Sequence, residues 1–226
     1  NLAALSCTMR DARILTRIGL AQQVRERLLE RIMDSELPPG MRLNIDALAR
    51  EMGVSSSPLR EALATLAARG LVRNEAFLGF SVAPMPSAAF LHAMFDTRRR
   101  LEPWLAACAA SRITKAQLAQ LCDALAGMAP EARQGPWQRH HAHAAADESF
   151  HDTIAEASGN APARQALAAL NAQIHISRLY LAAQTGAEET AAEHQRLFAA
   201  LDARDPAAAE AAMTAHLEGS RERLVP

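Results

Sequence analysis

The chain has 226 residues, half of them apolar but only 4% aromatic, so alanine and leucine carry much of its hydrophobic content. That balance favours close-packed helices, with enough apolar mass for one large domain or two small ones. Twenty-four basic against 25 acidic residues exclude a polybasic coat and a disordered charged tail, and no apolar run reaches the ~20 residues of a membrane span. Three cysteines, Cys7, Cys108 and Cys122, form no paired spacing. This argues against a disulfide framework or a CxxC zinc site, and for a reducing, cytoplasmic setting. No secretory leader is visible, and a first residue Asn1 suggests a trimmed start.

Charge and histidine divide the chain. Residues 1–85 carry a net charge of +2 and residues 86–226 a net charge of −3, and all eight histidines lie in the second part. Pro84 and Pro86 disfavour helix between the two parts and read as a linker. The expected organisation is therefore 1–85 and 86–226, two modules with different partners.

In the first module, Leu20, Val24, Leu28 and Ile32 recur every four residues, as on one helix face. Asn44 can cap a second helix, with Leu48, Ala49 and Met52 inward and Gly53 as its stop. A serine of Ser55-Ser56-Ser57 caps a third helix with Pro58 in its first turn, and Leu59, Leu63 and Leu66 form its apolar stripe. Residues 71–73 and 80–82 read as a short hairpin around Gly79. Helix, turn, helix and hairpin make a winged helix-turn-helix. In that fold the third helix enters the major groove, so Ser55, Ser56, Ser57 and Arg60 would face phosphates and base edges. The plainer reading of a Ser-Pro helix start alone is a cap with a solvated arginine.

The run from Leu37-Pro38-Pro39-Gly40 through Leu48–Leu63 to Gly70-Leu71-Val72 and Gly79-Phe80 closely resembles the GntR family of bacterial transcription regulators over about 65 residues. The resemblance implies DNA contacts at Ser55, Ser57 and Arg60, with Gly79 at the wing tip. Ser56 stands where the family often has arginine, and Asn74–Leu78 carry no positive charge. Both departures weaken phosphate contacts.

The second module reads as all helix, with elements near 87–111, 114–128, 137–157, 161–184, 187–203 and 206–223, separated by glycine, proline and Ser158-Gly159-Asn160. Asp147 and His151, four apart, share a helix face. His194 and His216, on two later helices, could close on them inside a bundle. One carboxylate and three imidazoles suit zinc first, or nickel, manganese or iron. From spacing alone, an aspartate and a histidine four apart on a helix, such as Asp147 and His151, are more often an ordinary surface or core pair. His143 extends their face, and His140-His141-Ala142-His143 offers a rival surface site, though a solvated helix start is simpler. Trp104, Trp137 and Tyr180 read as packing residues, and His175 as a core histidine.

Arg98–Glu102, Asp147–His151, Glu193-His194 and His216-Leu217 together resemble the ligand-binding domain of the FadR subfamily within GntR, in its metal-containing branch. The resemblance implies Asp147, His151, His194 and His216 as metal ligands, a small organic acid as effector beside the metal, and Arg98 on that acid's carboxylate. Without it, Arg98 and Glu102 are a surface pair at i,i+4. Arg178 and Asn171 are further candidates for the pocket wall. The expected function is a dimeric, metabolite-responsive regulator, a repressor on a pseudo-palindromic operator. The alternative is a metal-dependent hydrolase on a helical scaffold, for which no convincing general base is visible.

Overall fold

The computed structural model describes residues 19–128, 136–183 and 187–225. Cys7, Pro130, Gly135 and Gly186 lie outside them, as do the side chains of Trp137, His140, His141 and Tyr180. The chain divides into two compact units between Pro84 and Met85.

In the first unit, helix α1 spans 19–33 and buries Ala21, Val24, Leu28 and Ile32, while Leu20, expected inward, is 37% exposed. Strand β1 (Arg42–Leu43) follows. Helix α2 (Ile45–Glu51) is capped by Asn44, whose side chain accepts from the Ala47 amide at 3.0 Å. Gly53, at φ +65°, turns the chain where a side chain would be strained. Helix α3 (Ser56–Ala68) then buries Leu59, Ala62, Leu63 and Leu66. Ser55 occupies its N-cap position, yet its hydroxyl makes no capping bond, contrary to the expected cap. Strands β2 (Val72–Glu75) and β3 (Gly79–Val82) form the hairpin. The sheet has three strands in the order β1-β3-β2, all antiparallel, with Arg42 opposite Ser81 and Val72 opposite Val82. The turn before Gly79 puts Phe77, at φ +63° and fully exposed, at the tip, and Gly79 opens β3.

The second unit is helical: α4 (Ala88–Ala110), α5 (Lys115–Met128), α6 (Pro136–Ala157), α7 (Ala161–Ala169), α8 (Ala172–Ala183), α9 (Ala187–Asp202) and α10 (Pro206–Leu224). The single helix expected over 161–184 is broken. Asn171 adopts φ +47°, a left-handed conformation that asparagine tolerates better than most residues, and this turns the chain between α7 and α8. Helix α4 contacts α6, α9 and α10, and α9 contacts α10. Ala106, Ala109 and Ala110 let these helices approach, and Ile113, Leu121, Phe150, Leu197, Leu201 and Leu217 fill the core between them. Each buried leucine or phenylalanine contributes about 1.5–3 kcal/mol through removal from water. Trp104, expected to pack, is 47% exposed. No helix among the described residues is long and apolar enough to cross a membrane.

Candidate functional site

Helix α6 carries Asp147 and His151 one turn apart, α9 carries His194, and α10 carries His216. The helix packing brings the four together. One ligand atom each of His151, His194 and His216 lies within 4.8 Å of the others, and His194 and His216 are almost wholly buried. The ring centroids are 4.4 Å apart for His194 and His216, 5.2 Å for His151 and His216, and 5.6 Å for His151 and His194. Asp147 Oδ1 stands 3.0 Å from His194 Nε2 and 3.9 Å from His151 Nε2. Phe150 closes one side, its ring edge-on to His194 at 4.9 Å.

The polar accounting is incomplete without a further partner. His151 Nε2 and both ring nitrogens of His194 are buried and make no hydrogen bond, the 3.0 Å approach to Asp147 included. Unsatisfied buried polar atoms cost about 1–3 kcal/mol each. A cation accepting one lone pair from each ring removes the deficit at His151 Nε2 and at one nitrogen of His194, so the donor set fits a divalent transition metal.

The outer nitrogens are held. His151 Nδ1 bonds Glu102 Oε2 at 2.7 Å, and His216 Nδ1 bonds Glu193 Oε2 at 3.0 Å. A carboxylate on Nδ1 selects the tautomer whose Nε2 lone pair is free. Glu102 in turn accepts from Arg98, and Glu193 from Arg223. Neither glutamate was expected in this role. Glu193 adjoins His194 in sequence and so points elsewhere on α9, toward the neighbouring α10. Its place beside His194 is the only sequence signal.

Charge states follow from these contacts. Burial works against the Asp147 carboxylate, yet His194, His151 and His216 together hold it below the usual carboxylate range. Glu102 is likewise penalised by burial but lowered on balance by Arg98 and His151. Against the same penalty, His216 and Arg223 bring Glu193 down to about 2. Burial is the largest influence on His216 and takes it down to about 4, Glu193 opposing. Ionised carboxylates and a neutral imidazole are the forms that bind metal.

A cavity of about 510 Å³ adjoins the cluster, lined in part by Arg98, Glu102, Glu148, His151, Arg164 and Asn171. Its size suits a small ligand. Arg98 is not the surface residue of a simple i,i+4 pair. It is 2% exposed and bonded to the equally buried Glu102, at the cavity wall. Asn171 lines the cavity as well. Arg178 is buried but does not line it. His143 lines a small pocket with Asp147 and His216, and its Nδ1 lies 3.4 Å from the Met128 carbonyl. His175 is half-buried, edge-on to Phe90. In the first unit, Ser55, Ser56, Ser57 and Arg60 are exposed at the start of α3, and Gly79 is exposed on β3.

Residues 20–82 match the family described as "Bacterial regulatory proteins, gntR family", and residues 93–219 match the "FCD domain". The chain is 29% identical over 203 residues to a probable D-xylose utilization operon transcriptional repressor of Paenarthrobacter nicotinovorans, covering 90% of this chain and 88% of that one. It is 30% identical over 213 residues to the HTH-type transcriptional regulator LutR of Bacillus subtilis, covering 82% and 92%. It is 26% identical to the galactonate operon transcriptional repressor of Escherichia coli, covering 86% and 92%. Among solved structures, E. coli McbR/YncC shares the fold with a TM-score of 0.69 at 22% identity, over 91% of this chain and 96% of that one. These relatives are regulators and not enzymes, which leaves the hydrolase alternative without support. The chain belongs to the GntR family of transcriptional regulators, with an FCD domain as its second unit.

Proposed function

We propose that this GntR regulator is a repressor whose helical unit binds one divalent metal and a small carboxylate effector. Asp147, His151, His194 and His216 are the metal ligands, zinc first among the candidates. The observation that carries this reading is the gathering of one ligand atom from each of three imidazoles within 4.8 Å, with unpaired buried nitrogens on His151 and His194, beside a 510 Å³ cavity. When bound, the metal supplies a fixed positive charge for an anionic ligand. Arg98, at the cavity wall, supplies a second, and a guanidinium can take a carboxylate in bidentate fashion. Two relatives are named as repressors of D-xylose utilization and galactonate operons, which supports repression and an effector from carbohydrate metabolism, such as a sugar acid.

In the first unit, Ser55, Ser56, Ser57 and Arg60 meet the operator, with Gly79 at the wing. Two copies of the chain place two recognition helices about 34 Å apart on a pseudo-palindromic site. The effector releases DNA by binding one arrangement of the dimer better than the other.

The test is elemental analysis of the untagged chain purified without chelator, beside an Asp147→Ala/His151→Ala double variant. About one transition metal per chain, lost in the variant, is expected. Sugar acids are then screened by thermal shift, where a binder raises apparent stability by mass action. Wild-type protein that stays metal-free after incubation with zinc refutes the metal assignment.

A further inference from the structure

Around the three imidazoles one arrangement occurs twice. Arg98 on α4 donates to Glu102, and Glu102 accepts from His151 at 2.7 Å. Arg223 on α10 donates to both oxygens of Glu193, at 2.8 and 2.7 Å, and Glu193 accepts from His216 at 3.0 Å. Each is an arginine, a glutamate and a metal-facing histidine in series. Both glutamates are buried. Gly219, one turn before Arg223, leaves room for the second series. A Cβ there would stand 2.6 Å from Glu193 Oε1 and 2.9 Å from Arg223 Nη1.

A neutral imidazole presents one lone pair, and the acceptor on its other nitrogen decides where that pair points and how basic it is. A lone carboxylate can rotate away from the ring. A guanidinium bonded to both its oxygens cannot let it do so without breaking two charge-assisted hydrogen bonds. In the second series, therefore, the arginine fixes the glutamate and the glutamate fixes the ring.

We propose that Arg223–Glu193 and Arg98–Glu102 are positioning pairs for the metal, each arginine strengthening metal binding through its glutamate. This rests on the metal reading above. The effect opposes simple electrostatics, because removing a cation near a dication should tighten metal binding if charge alone mattered.

The experiment uses the full metal-free chain, zinc titrated against a chromophoric chelator, and the visible spectrum of the cobalt-substituted form. Glu193→Gln should lower zinc affinity about 10–100-fold and shift the cobalt absorption, the usual scale for a partner of a metal-bound histidine. Arg223→Met should lower zinc affinity about tenfold, and Arg223→Lys should recover part of it. The Arg223→Met/Glu193→Gln pair should bind no more weakly than Glu193→Gln alone, because Arg223 acts only through Glu193. Gly219→Ala, which keeps every charged group but displaces Glu193 and Arg223, should also weaken zinc, and it carries the test if Arg223→Met loses helical circular dichroism. Unchanged or tighter zinc binding in a folded Arg223→Met, or an unchanged cobalt spectrum in Glu193→Gln, overturns the proposal while leaving the metal site standing. A wild-type chain that takes up no zinc overturns both.

Discussion

Acid should destabilise the metal-free helical unit, with His216 a main contributor and His175, lowered by its own burial, acting in the same direction. The ring is 3% exposed, and burial is the main reason its pKa falls to about 4, with His194 and His151 adding to the effect and Glu193 and Asp147 opposing it. In the unfolded chain the same imidazole titrates near 6.5. Between those values the unfolded state holds a proton that the folded state refuses, so stability falls as pH falls. At 1.36 kcal/mol per pH unit, the loss from pH 7 to pH 5 is about 2 kcal/mol, approaching about 3 near pH 4. Below the ordinary glutamate range a second loss begins. Glu193, held at about 2, stabilises the fold while ionised, and that contribution disappears as the pH falls through its folded value. Urea unfolding of chelator-treated protein at pH 7 and pH 5 measures the first effect. Both tryptophans, Trp104 and Trp137, lie in the second unit, so their fluorescence reports on it. The control is His216→Asn, whose amide can still donate to Glu193 but does not titrate. Wild type should lose about 2 kcal/mol more than the variant over this range. Equal losses would refute the assignment of acid sensitivity to His216.

Phe77 should destabilise the wing. It holds φ +63° while fully exposed, so it bears left-handed strain with no compensating packing. Phe77→Asn should stabilise the first unit by about 1 kcal/mol, seen as slower hydrogen exchange at the β2–β3 amides. Phe150→Ala should cost the helical unit about 3–5 kcal/mol in chelator-treated protein, because a fully buried ring against His194 leaves a cavity, and urea unfolding reads this directly. Arg60→Ala should weaken operator binding and reduce the salt dependence of log K by about one, as loss of a phosphate contact requires, with zinc content unchanged. An unchanged salt slope would move Arg60 off the phosphates.

What the sequence discloses and what it hides follow from the range of the interactions. Helix α2 is legible because its determinants are local: an asparagine cap, an apolar pair one turn inside, and a glycine stop. Strand β1 is not, because two residues cannot show an alternating pattern, and its partner β3 lies almost forty positions on. The break at Asn171 is hidden for a related reason. A single left-handed residue ends a helix, and asparagine announces this far less plainly than glycine or proline. Trp104 misleads in the opposite direction, since bulk favours burial and only the packing of α4 decides which face it takes.

The site divides along the same line. Asp147 and His151 share a face by helix geometry alone, whereas their meeting with His194 and His216 depends on how α6, α9 and α10 pack. Arg98 and Glu102 show why spacing is an incomplete guide. The i,i+4 interval correctly implies contact, but burial decides what the contact is worth. On the surface such a pair contributes a few tenths of a kcal/mol. At 2% and 5% exposure, against His151 and a cavity wall, neither residue can be removed without stranding the other's charge. Glu193 is the extreme case: adjacent to His194 in sequence, it serves His216 on another helix, so its chain neighbour identifies the wrong partner. The residues that bind a metal can thus carry a recognisable spacing, while those that aim them are defined only by the folded neighbourhood. For this reason substitutions at Glu193, Arg223 and Gly219 separate a positioned metal centre from a mere gathering of histidines more sharply than removal of any ligand.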